Sequence, residues 1–306
     1  MTEQKATRST PVVAFGNQKG GVTKTTTVVN VAAALSEMGK SVLVWDLDTN
    51  PSSTRLFGIP EGVNVLGTFE VLTQAEEASD VIVSPGELED MTLPENVDLI
   101  PSHTKMQTLE KVLAGQEDDV FTTPNPDLLS DALGQIADQY DFVFLDTAPS
   151  MTPATKAAYL AASHFVLTAI PEPLAMESLV TAIRFMQAAK KAGNKKLQLM
   201  GVVLSQIPGR TTRLAKTLIA EAEEQFTGEF QSPYKTTIST STTVPTAQKE
   251  RKTIVQAAPD HKVAEQYRAL AKEFLERFEA FERENEPEGR PLTAPAPSVK
   301  EGVANG

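Results

Sequence analysis

Residues 16–26 read Gly-Asn-Gln-Lys-Gly-Gly-Val-Thr-Lys-Thr-Thr, which combines the residue types that bind phosphate. Backbone N–H groups of a glycine-rich loop can point at an anion, and a following helix N-terminus adds about half a positive charge. Lys24 can reach the outer phosphates of a nucleotide, and the Thr25 hydroxyl can ligate Mg²⁺. The pattern predicts a phosphate-binding loop formed by Lys19, Gly20, Gly21, Val22, Thr23, Lys24, Thr25 and Thr26.

Two apolar runs end in carboxylates that could hold the metal ion. Asp46 and Asp48 close the run 41–48, and Asp146 closes the run 140–146. In parallel sheets ligands bind beyond the carboxyl ends of the strands, where the loop also lies. The alternative is that such an acid only caps the next helix. Beside a phosphate loop we expect Thr25, Asp46 and Asp146 to form a Mg²⁺ site.

The elements that position these residues alternate between strands and helices. The loop lies between a strand at 12–16 and a helix at 24–38, and a turn at Gly39-Lys40 leads to the strand 41–48. Further strands are predicted at 97–100, 140–146, 164–170 and 197–205, with a short candidate at 235–239. Further helices are predicted at 67–78, 104–114, 127–139, 152–162, 176–192, 211–226 and 262–283. This alternation predicts an α/β fold with a doubly wound, mostly parallel sheet and helices on both faces.

The length of 306 residues suits one large α/β domain, or two domains by length alone, and we predict one ATPase-sized domain over residues 11–283. Residues 1–10 are polar and predicted to be a disordered arm, 116–126 an exposed loop, and 284–306, rich in Pro and Gly, a disordered tail. The absence of cysteine excludes disulfides and thiolate metal sites. No apolar run reaches the roughly 18–20 residues of a membrane span. Because a signal-peptide core is also missing, we expect a cytoplasmic protein.

Charge is distributed unevenly along the chain. The net charge of −12 argues against a uniformly basic nucleic-acid binder. Residues 61–141 carry 18 acids and two bases, whereas residues 184–277 carry 16 bases and nine acids. The second half could therefore hold a phosphate backbone, although salt-bridged, solvated helix faces are an equal alternative. The densest DNA-binding candidates are Arg210, Arg213, Lys216, Lys249, Arg251 and Lys252; others are Arg184, Lys190, Lys191, Lys195 and Lys196.

Three segments resemble motifs of one family. Residues 19–26 resemble the deviant Walker A motif of the ParA/MinD family of P-loop ATPases, which usually reads K-G-G-x-G-K-T-T. Asp46-Leu47-Asp48 is similar to the family's D-x-D, and residues 141–150 to its Walker B segment. Thr23 departs from the usual motif, and Thr49-Asn50 replaces the usual P-Q.

The resemblance implies a P-loop NTPase that hydrolyses ATP with Mg²⁺. It implies that Lys19 reaches the nucleotide of a partner subunit in an ATP-dependent homodimer, with Lys24 on the phosphates. It also implies that Asp48 positions the attacking water. In relatives the adenine is held by segments after the later strands, which correspond here to Gln206, Pro208 and residues 239–245.

Relatives divide according to what they act on. ParA-type members bind DNA non-specifically as ATP dimers and segregate plasmids or chromosomes, or position cargo on the nucleoid, whereas MinD-type members bind membrane. The last helix carries glutamates that anionic lipid would repel, so membrane binding is disfavoured. The resemblance thus implies a nucleoid-associated partition ATPase stimulated by a ParB-like or cargo adaptor protein. An ATP-dependent small-molecule ligase remains the alternative.

Overall fold

The computed structural model describes residues 10–60, 65–88, 90–113, 127–228 and 231–285. Six strands in these ranges form one sheet in the order β3-β2-β4-β1-β5-β6. Every neighbouring pair is parallel, which confirms the predicted fold class. The strands are β1 Val12–Gly16, β2 Val42–Asp46, β3 Val97–Ile100, β4 Phe142–Asp146, β5 His164–Ala169 and β6 Gln198–Leu204.

Helices cover both faces of the sheet, so the strands are almost entirely buried and read as continuous apolar runs. The core on one face includes residues of α1, α10 and α11, and the core on the other includes residues of α3 to α7. In the described residues the helices are α1 Lys24–Glu37, α2 Ser52–Leu56, α3 Thr68–Leu72, α4 Met106–Leu113, α5 Leu128–Ile136, α6 Pro153–Ala161, α7 Pro173–Lys191, α8 Arg213–Gln225, α9 Thr243–Lys249, α10 Ile254–Ala257 and α11 Lys262–Asn285.

Several boundaries differ from the sequence expectations. The predicted helix 67–78 is interrupted after α3, where Gln74 adopts a left-handed conformation with φ of 58°. No regular strand forms at 235–239. The backbone N–H groups of Lys235 and Thr236 donate to the Glu273 carboxylate of α11, and the end of the segment pairs with the chain at and after β6 only through the Ile238 N–H and an isolated Ile207–Ser239 bridge. Helices α2, α9 and α10 were not predicted individually.

Some predicted segments fall outside the described ranges. These are residues 1–9 of the N-terminal arm, the loop 116–126 and most of the tail. The tail was predicted to begin at 284, but α11 continues through Asn285. The predicted turn after α1 is present, with Gly39 at φ of 77°, a conformation that glycine adopts without steric cost.

The apolar stripe of α11 packs into the core rather than facing solvent. Phe274 and Phe278 are 2% and 3% exposed. Their rings lie 5.3 Å and 5.4 Å from the Phe142 ring of β4 in edge-to-face arrangements. Aromatic pairs of this geometry add to the stabilisation from buried area. The final helix therefore closes the face of the sheet that also carries α1.

Replacing a ring of this cluster tests how much α11 contributes to stability. Phe274→Ala is expected to lower the free energy of unfolding by about 3–5 kcal/mol, because it removes a buried ring and leaves a cavity. Phe281→Ala, at a half-buried position of the same helix, is the matched control and should cost about 1 kcal/mol. Urea unfolding followed by circular dichroism measures both values. An equal loss of unfolding free energy in the two variants would show that the buried Phe274 ring stabilises the protein no more than the half-buried Phe281 ring.

Candidate nucleotide site

The glycine-rich loop joins β1 to α1 and is fixed from both sides. The Asn17 side chain donates to the Thr168 carbonyl of β5 at 2.7 Å and accepts from the Lys19 N–H at 3.0 Å. Gly21 has φ of 78°, a value that favours glycine. Val22 is fully buried against a small cluster with Ile170. The loop thus has an anchored backbone and ends where the first N–H groups of α1 begin.

Lys24 places a cation at the base of this loop. It is 7% exposed, and its Nζ lies 3.5 Å from the Lys19 carbonyl oxygen. Burial lowers the pKa of Lys24, while the carboxylates of Asp146 and Asp48 oppose that shift. The pairing of a buried lysine with nearby carboxylates is what allows the charge to remain in this position.

Asp146 ends β4 and offers an oxygen to a cation. It is fully buried, its Oδ2 accepts from the Ser53 hydroxyl, and it also interacts with the Thr25 side chain. Its Oδ1 has no hydrogen-bond partner among the described residues. Burial raises the pKa of Asp146 to about 6. A buried carboxylate oxygen without a donor requires an explanation, and a Mg²⁺ ion, which prefers oxygen ligands, fits here beside Thr25.

Asp46 lies beside Asp146 in the sheet register, but its oxygens are occupied by protein donors. Its Oδ2 accepts from the Thr54 N–H at 3.0 Å and from the Thr54 hydroxyl at 2.7 Å, and its Oδ1 accepts from the Asp48 N–H at 3.2 Å. Burial, with a smaller contribution from Asp146, raises the pKa of Asp46 well above its usual range. Asp46 therefore holds the start of α2 in place, and its assignment to the metal stays a prediction.

Asp48 follows β2 and faces the cavity in front of the loop. It is 8% exposed, and its carboxylate accepts from the Asn50 N–H at 2.9 Å. Burial raises the pKa of Asp48. The Ser102 hydroxyl donates to the Asp48 carbonyl at 2.7 Å, which joins the segment after β3 to the same site.

These residues border one cavity of about 710 Å³, within the size range of small-molecule sites. Six of the predicted nucleotide-binding residues line it, together with residues from α2 and from the segment 248–251 that the sequence did not assign to the nucleotide. No motif marked these additional residues. The lining residues are Gly20, Gly21, Thr23, Lys24, Thr25, Thr26, Asp48, Asn50, Ser52, Arg55, Leu56, Pro60, Pro149, Gln248, Lys249 and Arg251.

Lys19, Val22, Gln206 and Pro208 were predicted at the nucleotide but do not line this cavity. The Lys19 Nζ forms an ion pair with the Glu172 carboxylate, before α7, at 2.6 Å. Gln206 and Pro208 follow β6, and Gln206 has φ of 54°. Their contribution to adenine binding therefore stays a prediction.

The six densest DNA candidates divide into two sets in space. Arg210, Arg213 and Lys216 are exposed around the start of α8. Lys249 and Arg251 line the cavity, and the exposed Lys252 follows them without lining it. Clustering in sequence therefore does not correspond to one surface.

Comparisons with known proteins match the motifs that form the loop and the strand-end acids. The AAA_31 family model, an AAA domain, matches residues 10–199. The sporulation initiation inhibitor protein Soj of Bacillus subtilis is 31% identical over 263 residues, which cover 86% of this chain and 97% of Soj. The chain belongs to the ParA/MinD family of P-loop ATPases.

Two further similarities extend over most of this ATPase. The chromosome-partitioning ATPase Soj of Thermus thermophilus is 30% identical over 269 residues, covering 87% of the chain and 96% of Soj. Cobyrinic acid a,c-diamide synthase of Mycobacterium smegmatis, solved with an ATP analogue and magnesium, has a TM-score of 0.70 and 24% identity. That match covers 89% of this chain and 97% of the synthase, and it shows a shared fold. Across the described ranges of the ATPase, no helix is long and apolar enough to cross a membrane.

Thr54 connects α2 to the buried acids and provides a test of that connection. Besides its bonds to Asp46, its hydroxyl accepts from the Ser102 N–H at 2.9 Å. Thr54→Val keeps the shape, but it removes one of the two donors to Asp46 Oδ2 and leaves the buried Ser102 N–H without its acceptor. The free energy of unfolding should fall by about 2–3 kcal/mol. Thr73→Val at an exposed helix end should change it by less than about 0.5 kcal/mol. Urea titration measures the free energy of unfolding of both variants. If Thr54→Val loses no more of it than Thr73→Val, the Thr54 hydroxyl does not have the connecting role described here.

Proposed function

We propose that this ATPase partitions or positions cargo through an ATP-dependent homodimer that binds DNA non-specifically. The observation that carries the proposal is the position of Lys19, on the phosphate loop but outside the lining of its own cavity. A lysine in this position can bind a nucleotide other than the one bound by its own loop. The similarity to the chromosome-partitioning ATPase of Thermus thermophilus supports partition as the process.

The residues of one subunit account for binding of ATP and orientation of water. Backbone N–H groups of the loop and the Lys24 ammonium bind the phosphates. Thr25 and Asp146 would hold Mg²⁺, which would neutralise phosphate charge. Asp48, buried at the cavity wall, accepts a hydrogen bond from the attacking water and orients it.

The second subunit contributes Lys19. In the proposed dimer the terminal phosphate attracts the Lys19 ammonium of the partner in addition to the cations of its own subunit. An ammonium from the partner therefore binds more strongly when the terminal phosphate is present, and hydrolysis removes that attraction. ATP thus favours the dimer only through a contact that ADP lacks, which is what a nucleotide-gated equilibrium requires.

Light scattering with Mg²⁺ and ATP tests this division of roles. Asp48→Ala should bind ATP, hydrolyse it at least about 100-fold more slowly and accumulate as a dimer, because the water is no longer oriented. Adding Lys19→Gln to that variant should leave ATP bound to a monomer. Adding Lys216→Gln instead, on exposed α8, should leave the dimer intact. A dimer that forms equally well without the Lys19 ammonium would rule out the proposed contact.

DNA binding is proposed for the basic surface at the start of α8. The Thr212 hydroxyl caps this helix by accepting from the Ala215 N–H at 3.1 Å, and Arg210, Arg213 and Lys216 are exposed around it. Contacts of this kind read the phosphate backbone and not the bases. In the sequence, these three residues belong to the basic stretch 184–277 and not to the acid-rich stretch 61–141.

Salt dependence of DNA affinity tests this surface. The triple variant Arg210→Gln, Arg213→Gln, Lys216→Gln should weaken ATP-dependent binding to random-sequence duplex DNA. It should also reduce the slope of log affinity against log salt by about 2–3, as expected for two or three lost phosphate contacts. Fluorescence anisotropy at several salt concentrations measures both quantities.

The control for this experiment carries the same change in net charge at other sites. Lys40→Gln, Lys156→Gln and Lys272→Gln remove three cations that lie outside the candidate set, and the triple variant should retain the wild-type slope. If both triple variants behave alike, DNA responds only to net charge and the α8 surface is not the site.

The two alternatives predict different measurements. A small-molecule ligase would hydrolyse ATP only with its acceptor present and would ignore DNA; the match to the amide-forming synthase supports only the fold. A membrane-surface ATPase would bind anionic vesicles with ATP. The exposed face of α11 includes Glu276, whose side chain is 63% exposed, and such acids oppose that binding. The partition proposal also includes an adaptor protein that stimulates ATP hydrolysis.

A further inference from the structure

We propose that Lys249 and Arg251 form a second cationic wall of the nucleotide site and bind the phosphates of the nucleotide held by the loop. The proposal rests on the phosphate-loop site described above. It reassigns two residues whose charge pattern suggested DNA binding. We call residues 243–257, which contain α9 and α10, the wall segment.

Hydrogen bonds hold the wall segment over the N-terminal half of α1. The Gln248 side chain donates to the Thr26 hydroxyl at 3.0 Å, and Thr26 itself lines the cavity. Further along, the Ile254 N–H donates to the buried Asn30 side chain at 2.8 Å. Because Thr26 and Asn30 are one turn apart on α1, the segment is fixed beside the loop at two points.

The backbone at Arg251 is unusual and points to a role for its side chain. Arg251 has φ of 55°, in the left-handed region that favours glycine. The conformation is enforced by the Arg251 N–H donating to the Gln248 carbonyl and by the Lys252 N–H donating to the Ala247 carbonyl, both at 3.0 Å. The Thr92 hydroxyl also donates to the Arg251 carbonyl. A non-glycine residue held in such a conformation beside a cavity suggests function, because the turn alone would be better served by glycine.

Charge makes phosphate the ligand that fits this wall. Among the described residues, the charged side chains that line the cavity are Lys24, Arg55, Lys249 and Arg251 against Asp48, in a chain with a net charge of −12. Neither Lys249 nor Arg251 makes an ion pair with any of the described residues. Two cations without carboxylate partners, facing a phosphate loop across one cavity, supply the charge that a polyphosphate requires.

Lys252 provides a natural control within the same segment. It is exposed and adjacent in sequence, but it does not line the cavity. If these residues bind DNA, all three should contribute alike. If they bind the nucleotide, Lys249 and Arg251 should contribute and Lys252 should not. Conformation and placement, rather than charge, therefore distinguish the two hypotheses.

Titration of the full chain with the fluorescent nucleotides mant-ATP and mant-ADP, each with Mg²⁺, tests the wall. Lys249→Gln and Arg251→Gly should each raise the dissociation constant about three- to tenfold, the size expected for one partly exposed charge contact. Lys252→Gln should leave it unchanged. Arg251→Gly should also leave the melting temperature equal or higher, because glycine removes the backbone strain. A loss of affinity with unchanged or improved stability excludes misfolding as its cause.

Two outcomes would overturn the proposal, and they are distinguishable. If Lys24→Gln loses mant-ATP binding but Lys249→Gln and Arg251→Gly bind as wild type, the loop site stands and the second wall is wrong. A loss of duplex DNA binding by all three wall variants at saturating ATP would then assign them to DNA. If Lys24→Gln itself binds mant-ATP normally, the phosphate-loop site fails and the wall fails with it.

Discussion

The arrangement of this site depends on two carboxylates buried side by side. Asp46 and Asp146 occupy neighbouring register positions at the ends of β2 and β4, and neither is exposed. Burying like charges together is unfavourable unless donors and a cation compensate. Donors come from the first turn of α2, through Ser53 and Thr54, and the cation comes from Lys24. The hydrogen bonds and the charge that these two carboxylates require therefore hold the loop, α2 and the carboxyl ends of β2 and β4 in one arrangement.

The same constraint links binding at the site to the position of α2. A cation that took the Oδ2 oxygen of Asp146 would displace the Ser53 hydroxyl, whereas one on Oδ1 would leave it in place. Ser53 is separated from Asp48 by only four residues that also include the cavity-lining Asn50 and Ser52. Because Oδ1 is the oxygen without a hydrogen-bond partner among the described residues, a cation there would leave the Ser53 hydroxyl, the start of α2 and the short segment back to Asp48 in place.

Sequence reasoning predicted the six strands of the sheet correctly because hydrophobicity is a local property of the chain, whereas the roles of the site residues stay predictions. The strands and the phosphate loop are contiguous patterns, and both Asp48 and Asp146 follow directly from apolar runs. It failed where a short element is positioned by distant partners. Helix α10 has four residues and no period to detect, yet it is fixed by Asn30, 224 positions away from Ile254. The sequence also could not indicate that Lys249 and Arg251 line the cavity, because a count of charges contains no information about which surface a segment folds against.

In the proposed dimer, Lys19 would leave its ion pair with Glu172 to contact the nucleotide of the partner subunit. The two atoms are 2.6 Å apart, but the side chains are 27% and 59% exposed. Ion pairs at such exposure contribute about 0–1 kcal/mol, because water competes for both charges. A triphosphate offers several negative charges where Glu172 offers one, so exchange of partners is favourable once a phosphate lies within reach. In this proposal Lys19 can exchange Glu172 for a phosphate because the ion pair is weak. A buried ion pair would hold Lys19 in place against any ligand. A lysine without a partner would have no defined starting position.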